Sequence, residues 1–249
     1  MSPSPRESLR PFWRYYGGKW RAAPRYPRPQ HQTIVEPFAG AAGYSLRHYS
    51  RQVVLVEKSH VVAEIWRYLI SESATSIRAI PCVDDVADLP TWVPQAARWL
   101  IGFTMNAGVA SPRKRLSSGR RELRSRGRMF KGWTERMRER VASQCERIRH
   151  WRVIEGDYTE APDVEATWFV DPPYQGRAGG YYVESEVNYA DLAEWCRSRR
   201  GQRIVCEQDG ASWLPFTSFA AVKSNAMSGR GGTSREALWV AEGGRRGDA

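Results

Sequence analysis

Short apolar runs alternate with amphipathic segments along most of the chain. The runs predicted to form β-strands are residues 32–38, 51–59, 151–157, 166–174 and 202–208. Helices are predicted to begin within residues 41–49 and to cover residues 61–70 and 189–199, where apolar side chains recur at helical spacing. Strands that alternate with helices favour an α/β fold, in which a parallel sheet carries helices on both faces.

The stretch from residue 99 to residue 150 interrupts this alternation. Its central part, residues 112–132, is rich in Arg, Ser and Gly and shows little periodicity, which is typical of an insertion or a surface loop. The two ends of the chain are rich in Pro and Ser or in Gly and Arg, so we expect them to be flexible. The predicted organisation is one domain formed by residues 14–98 and 151–240, an insertion at 99–150, and flexible ends at 1–12 and 241–249.

The positive charge of the chain is concentrated in the insertion. The formal net charge is +11, and residues 113–152 hold 15 Lys and Arg against four acidic residues, so the remainder is neutral. A segregated positive field attracts polyanions, and the pattern therefore favours nucleic acid as the partner. The alternative is a solvated basic loop without a partner.

Other features of the composition limit the class of protein. No stretch approaches the ~18 consecutive apolar residues of a transmembrane helix, and the N-terminus lacks the apolar core of a signal peptide. The cysteines lie far apart without metal-ligand spacing, which argues against a zinc site or a disulfide framework. They are Cys82, Cys145, Cys196 and Cys206. We therefore expect a cytoplasmic protein, monomeric in solution, with no membrane partner and no metal.

A turn of small residues follows the first predicted strand, in VEPFAGAAGYS at residues 35–45. Small side chains let the backbone approach a ligand closely, and the N–H groups of a following helix favour a nucleotide-like group. Glu57 ends the next predicted strand, where its carboxylate can accept hydrogen bonds from ribose hydroxyls. The pattern indicates a nucleotide-like cofactor. The alternatives are a turn that serves packing alone and a solvated Glu57.

Asp171, Pro172, Pro173 and Tyr174 directly follow the apolar run that begins at residue 166. The two prolines lack N–H groups and stiffen the turn, which leaves the Pro172 carbonyl able to accept a hydrogen bond beside the Asp171 carboxylate. Two acceptors next to the flat ring of Tyr174 suit a planar group that carries an exocyclic amine. The alternative is a Pro-Pro turn without a ligand.

These motifs resemble those of the Dam-like DNA adenine N6-methyltransferases, in the alpha group of such enzymes. RYYGGK at residues 14–19 is similar to the family's aromatic-x-Gly-Gly-Lys element, and GDY at 156–158 stands where the family flanks the cofactor's adenine. Residues 224–240 resemble the closing segment, in which a Gly-Gly-Thr loop precedes an acidic residue and an apolar strand. The order also resembles the family's, since the cofactor loop stands first and the basic insertion precedes the DPPY tetrad.

The resemblance implies a Rossmann-like class I methyltransferase sheet that binds S-adenosylmethionine and carries a small basic target-recognition insertion for double-stranded DNA. It implies methyl transfer to the N6 amine of an adenine extruded from the duplex, without a metal. The implied catalytic residues are Asp171, Pro172, Pro173 and Tyr174. The implied cofactor-binding residues are Tyr15, Lys19, Glu36, Pro37, Phe38, Gly40, Glu57, Asp157, Tyr158 and Asp171. The predicted DNA-binding residues are Asn106, Arg113, Lys114, Arg115, Arg120, Arg121, Arg124, Arg126 and Arg128.

The chain departs from the family pattern in three respects. Ala42 stands where a second glycine is common, Glu207-Gln208 stands where the family often shows Ser-Asn, and the insertion is unusually rich in Arg. The target sequence in DNA therefore does not follow from the resemblance. A cytosine-N4 DNA methyltransferase is the nearest alternative. An RNA or protein-glutamine methyltransferase and a catalytically silent DNA-binding protein on the same scaffold are the others.

Overall fold

The computed structural model of the chain describes residues 8–105, 109–127, 132–175, 187–223 and 233–243. Its strands are β1 (Thr33–Glu36), β2 (Gln52–Glu57), β3 (Arg152–Glu155), β4 (Ala166–Val170), β5 (Gly201–Gln208), β6 (Thr217–Lys223) and β7 (Thr233–Ala241). Its α-helices are α1 (His60–Ser71), α2 (Ala74–Ala79), α3 (Gln95–Met105), α4 (Ser118–Ser125), α5 (Glu135–Cys145) and α6 (Tyr189–Ser198). None of the helices within these ranges is long and apolar enough to cross a membrane.

The strands form one seven-stranded sheet in the order β3-β2-β1-β4-β5-β7-β6. The first five strands in this order are parallel, and β7 pairs antiparallel with both β5 and β6. The protein is therefore an α/β protein with a mostly parallel sheet, compatible with a Rossmann-like fold. From β1 the chain adds β2 and β3 on one side, and it then returns to add β4 and β5 on the other side of β1. Ligands of such sheets usually bind at the carboxyl ends of the strands beside the point of reversal, which here lies between β1 and β4.

Side chains alternate between the two faces of the sheet, so each face builds its own hydrophobic core. Ile34, Leu55 and Phe169 belong to a core that includes buried side chains of α1, α3 and α5. Val35 and Trp168 belong to a second core with α6. Because α3 and α5 contribute to the first core, these two helices of the predicted insertion pack directly on the rest of the domain.

Most elements predicted from the sequence are present. The predicted strands are confirmed as β1 to β5, and the helices predicted at residues 61–70 and 189–199 are confirmed as α1 and α6. The strand predicted over residues 166–174 ends at Val170, so the DPPY tetrad lies beyond the strand. Helix α4 forms within the stretch of residues 112–132 that lacked periodicity, and this part of the insertion is therefore not a loop.

The helix predicted to begin within residues 41–49 is wrong, because the segment holds only a short 3-10 helix at Ser45–Arg47. Ala42 adopts a left-handed φ of 47°, which an α-helix does not allow. A Cβ at Gly43 would lie 2.5 Å from the backbone nitrogen of Trp20, so the turn packs directly on the N-terminal segment. The guanidinium of Arg47 donates to the Trp20 carbonyl and stacks 3.5 Å from the Trp20 ring centroid. Contacts with this distant segment outweigh local helix propensity.

The flexible end predicted for residues 1–12 is wrong for the residues that the structure describes. Leu9 and Phe12 are buried, and the backbone N–H of Leu9 donates to the Leu46 carbonyl at 3.0 Å. The Trp20 indole donates to the Leu9 carbonyl at 2.7 Å, and the Phe12 ring packs edge-on against Trp66. Burial of two large apolar side chains holds this segment on the domain. Residues 1–7 and 244–249 lie outside the described residues.

Candidate functional site

A cavity of about 380 Å³ lies at the carboxyl ends of β1, β2, β3 and β4. This is within the range of about 300–1,000 Å³ that is usual for small-molecule pockets. The sequence-predicted residues that line it are Tyr15, Pro37, Phe38, Gly40, Glu57, Asp157, Tyr158, Asp171 and Pro173. The turn after β1 and the DPPY tetrad after β4 therefore face the same cavity.

One wall of the cavity is the turn that follows β1. Gly40 adopts a left-handed φ of 45°, and a Cβ at this position would lie 3.1 Å from the Tyr15 ring. The Gly40 N–H donates to Oε2 of Glu57 at 2.8 Å, and the Ser59 N–H donates to Oε1 at 2.9 Å. The indole of Trp66 donates to the Gly40 carbonyl at 2.8 Å. These bonds hold the turn and the Glu57 carboxylate in one fixed arrangement against the cavity.

Aromatic rings and a second carboxylate form another part of the cavity lining. The rings of Phe38 and Tyr158 are stacked, with centroids 5.6 Å apart. The Trp195 ring packs edge-on against Tyr158 at 5.2 Å and fixes its orientation. Asp157 caps the short 3-10 helix Tyr158–Glu160 by accepting from the Thr159 N–H at 3.3 Å. Flat rings beside a carboxylate are suited to a purine base that carries an exocyclic amine.

The tetrad carboxylate is paired with a lysine from the N-terminal segment. Nζ of Lys19 lies 2.8 Å from Oδ1 of Asp171 and 4.7 Å from the centroid of the Tyr174 ring. Lys19 is buried behind Asp171 and does not line the cavity, which differs from the predicted cofactor-binding role. Pro172 and Tyr174 also lie outside the cavity lining, so the tetrad reaches the cavity through Asp171 and Pro173. The Pro173 carbonyl accepts a hydrogen bond from the Tyr189 hydroxyl at 2.7 Å.

Burial and charge act in opposite directions on this ion pair. Burial disfavours the ammonium of Lys19, but the carboxylates of Asp171 and Glu236 outweigh burial and raise the pKa of Lys19. Burial raises the pKa of the Asp171 carboxyl, and the Lys19 ammonium opposes that shift. Burial, followed by the charge of Asp171, also raises the pKa of the Tyr174 hydroxyl, which stays protonated at neutral pH.

Two further residues complete the charged cluster and were absent from the predicted site. Oε1 of Glu236, on β7, lies 3.9 Å from Nζ of Lys19, and the Tyr26 hydroxyl donates to Oε2 of Glu236 at 2.8 Å. Glu236 is buried, as is Tyr26. The acidic residue of the closing segment was visible in the sequence, but no local pattern connects it with Tyr26 or Lys19. The Gly-Gly-Thr loop of that segment, up to residue 232, lies outside the described residues.

Glu36 does not take the predicted cofactor-binding position. Its side chain is buried beneath the turn, away from the cavity lining, and accepts a hydrogen bond from the Ser45 N–H at 2.7 Å. Burial raises the pKa of the Glu36 carboxyl to about 8. Because the last residues of β1 alternate between the faces of the sheet, Glu36 points into the domain and supports the turn.

The basic residues of the insertion divide into exposed and structural ones. Arg113, Lys114, Arg115, Arg121 and Arg126 are exposed, and Ala110 to Pro112 directly before them line the cavity. Arg120 instead donates to the Met105 carbonyl at 2.9 Å, and Arg126 pairs with Glu122 at 2.6 Å. Asn106, Arg128 and the Arg124 side chain lie outside the described residues. The basic surface therefore begins at the edge of the cavity.

Three side chains with possible metal-ligand atoms converge beside the cavity. Nδ1 of His60 lies 2.8 Å from Oε1 of Glu155, and Glu64 lies beside them. The Arg67 guanidinium pairs with both Glu64 and Glu155, at 2.5 and 2.6 Å. The guanidinium is therefore a counterion to both carboxylates, and within the described ranges no other such cluster is present. Cys145, Cys196 and Cys206 are buried and form no disulfide within the described residues.

No protein-family model matches the chain, and no curated protein matches it either. The residues around the cavity therefore carry the functional interpretation by themselves. They bring the turn after β1, the Glu57 and Asp157 carboxylates, the stacked rings and the Asp171 carboxylate to one cavity.

Proposed function

We propose that the protein is a DNA methyltransferase that transfers a methyl group from S-adenosylmethionine to the N6 amine of an extruded adenine. The observation that carries this proposal is the single cavity that Gly40 and Glu57 share with Asp171 and Pro173. A cofactor site at the carboxyl end of β1 thereby adjoins an acceptor for a planar amine at the carboxyl end of β4. An α/β sheet with a reversal between these strands is the usual place for such a site.

The residues around the turn fit S-adenosylmethionine. The Glu57 carboxylate faces the cavity and suits ribose hydroxyls, and the left-handed backbone at Gly40 allows close approach. The stacked rings of Phe38 and Tyr158 with the Asp157 carboxylate suit an adenine ring and its amine. When bound, the cofactor supplies an electrophilic methyl group.

Asp171 acts on the substrate amine. The amine lone pair of adenine is delocalised into the ring, and a hydrogen bond to the Asp171 carboxylate favours its localisation on nitrogen. The same carboxylate stabilises positive charge that develops on the nitrogen. Lys19, 2.8 Å from Asp171, favours the carboxylate form against the cost of burial.

The amine of a paired adenine cannot reach this cavity, so the base leaves the duplex at a cost of a few kcal/mol. Stacking on an aromatic ring offsets about 1–3 kcal/mol per base. We assign that surface to the Tyr174 ring, which is half-buried beside Asp171 but does not line the cavity. The exposed basic residues from Arg113 onward hold the surrounding phosphates, because they adjoin the cavity edge.

The proposal is tested by methyl incorporation from radiolabelled S-adenosylmethionine into duplex DNA, followed by mass analysis of the nucleosides. We expect N6-methyladenine with the wild-type protein and at least a hundredfold less with Asp171→Asn. Asp163→Asn, which changes an exposed carboxylate on the loop before β4, is the matched control. Calorimetric binding of the cofactor to both variants separates a lost reaction from a lost fold.

Other outcomes would change the assignment. N4-methylcytosine in place of N6-methyladenine would move the proposal to the cytosine-N4 alternative. Cofactor binding without incorporation into any of the DNA substrates would favour the catalytically silent DNA-binding protein. Equal incorporation by wild type and Asp171→Asn would refute the role given to the tetrad.

A further inference from the structure

A second buried carboxylate lies directly behind the tetrad. Glu207, near the end of β5, is fully buried, and its carboxylate accepts hydrogen bonds from three N–H groups. The donors are the Gln208 N–H at 2.8 Å, the Trp213 indole at 2.9 Å and the Gln175 N–H at 3.3 Å from each oxygen. The part of the chain that the structure describes contributes no Lys or Arg partner to this carboxylate. Its charge is therefore stabilised by N–H donors, as in other buried carboxylates without a counterion.

The Glu207 carboxylate reaches the main chain where the tetrad ends. Pro172 and Pro173 carry no N–H group and cannot anchor the loop through one. Gln175 follows Tyr174 directly, and its N–H donates to Glu207. A short side chain such as Ser at position 207 would not bring an acceptor as far toward Gln175.

A second contact anchors the same loop from α6. The Tyr189 hydroxyl donates to the Pro173 carbonyl at 2.7 Å. The Tyr189 ring packs against Trp213 with centroids 5.5 Å apart, and Trp213 packs edge-on against Phe216 at 4.9 Å. Trp213 therefore joins both anchors, because its indole N–H bonds Glu207 and its ring contacts Tyr189.

We propose that Glu207, Trp213 and Tyr189 form a positioning network that fixes the main chain of the DPPY tetrad and thereby the direction of Asp171. The inference rests on the proposed methyltransferase function. The two anchors lie on either side of Tyr174, so neither Pro173 nor Gln175 can move without breaking a hydrogen bond. A shift of about 1 Å in a reacting group can lower a rate about a hundredfold, and a network of this kind prevents such a shift.

The test compares Glu207→Gln, Trp213→Phe and Tyr189→Phe with the control Gln208→Ala, which removes an exposed side chain and keeps the N–H bonded to Glu207. A Gln side chain has one acceptor oxygen and an NH₂ donor, so Glu207→Gln places a donor against an N–H. We expect kcat for methyl transfer to fall at least tenfold in each of the three variants, about 1.4 kcal/mol in barrier. The KM for S-adenosylmethionine should stay within twofold, because Gly40, Glu57 and Asp157 follow other strands.

A second measurement is independent of activity. Amide hydrogen exchange of Gln175, followed by NMR, should be at least tenfold faster in Glu207→Gln than in Gln208→Ala. Unchanged exchange overturns the inference whatever the activity. A fall in kcat together with an equal rise in KM and a lower Tm also overturns the inference, because this is the result expected if Glu207 only stabilises the fold. If the wild-type protein transfers no methyl group, the proposed function fails, and the exchange rates still decide whether Glu207 anchors the loop.

Discussion

Replacing Glu36 by Gln tests whether the carboxyl beneath the cavity turn is held uncharged. Burial raises its pKa from the ordinary 4.5 to about 8, while the Ser45 N–H bonds the side chain. When the pKa of a carboxyl is higher in the folded than in the unfolded state, its contribution to stability is complete at pH values below the unfolded pKa. That contribution is lost as the pH rises through the folded pKa. The wild-type protein should therefore lose stability between about pH 4.5 and pH 8 through this residue.

The magnitude follows from proton linkage. The pKa of Glu36 is 4.5 in the unfolded state and about 8 in the folded state. Relative to pH values at which the carboxyl is protonated in both states, Glu36 lowers the free energy of unfolding by about 1 kcal/mol at pH 5 and about 3 kcal/mol at pH 7. Gln has the same shape, can accept from the Ser45 N–H and does not titrate. The free energy of unfolding of Glu36→Gln minus that of the wild type should therefore be about 2–3 kcal/mol larger at pH 7 than at pH 5.

Urea denaturation at pH 5, 6 and 7 measures this difference. Glu165→Gln, which neutralises an exposed carboxyl, is the control and should follow the wild-type curve. Curves for Glu36→Gln and wild type that stay parallel within about 0.5 kcal/mol would refute the reasoning. Cofactor affinity should be unchanged at pH 5, because Glu36 does not line the cavity.

Three further predictions concern the cavity and its surroundings. Lys19→Met leaves Asp171 and Glu236 without their buried cation and should lower stability by about 3–5 kcal/mol in urea denaturation. Adding Glu236→Gln should recover part of this loss, and no recovery would argue against the three-residue cluster. Gly40→Ala places a Cβ in a left-handed turn against Tyr15, so S-adenosylmethionine should bind at least tenfold more weakly by calorimetry, and equal binding would contradict the site. DNA affinity should fall steeply between 50 and 200 mM salt, and Arg121→Ala should reduce the salt slope by about one unit; a flat salt dependence would contradict the basic surface.

Local patterns in the sequence account for the central strands and two helices. The apolar runs of β1, β2 and β4 are continuous because both faces of these strands are covered, which is the signal that a buried parallel strand leaves. The residues that line the cavity follow from the same reasoning, since parallel strands bring their carboxyl ends to one edge. Most of the predicted cofactor site is therefore a consequence of strand order.

Two of the errors have the same physical cause, which is contact between segments far apart in the chain. Residues 41–49 carry a helical pattern, but the close packing of Gly43 on Trp20 excludes a helix. The burial of Leu9 depends in the same way on a bond to Leu46. Neither partner is visible in the local sequence, so propensity alone gives the wrong structure.

The same long-range contacts determine the surroundings of Asp171. Lys19 from the N-terminal segment and Glu236 from β7 form the charged cluster with Asp171. Glu207 from β5 instead bonds the Gln175 N–H directly after the tetrad. The tetrad motif identifies Asp171 as a candidate, whereas distant residues set the charge around it and bond the main chain beside it. The candidate site is therefore visible in local motifs, whereas the residues that surround Asp171 become visible only in the fold.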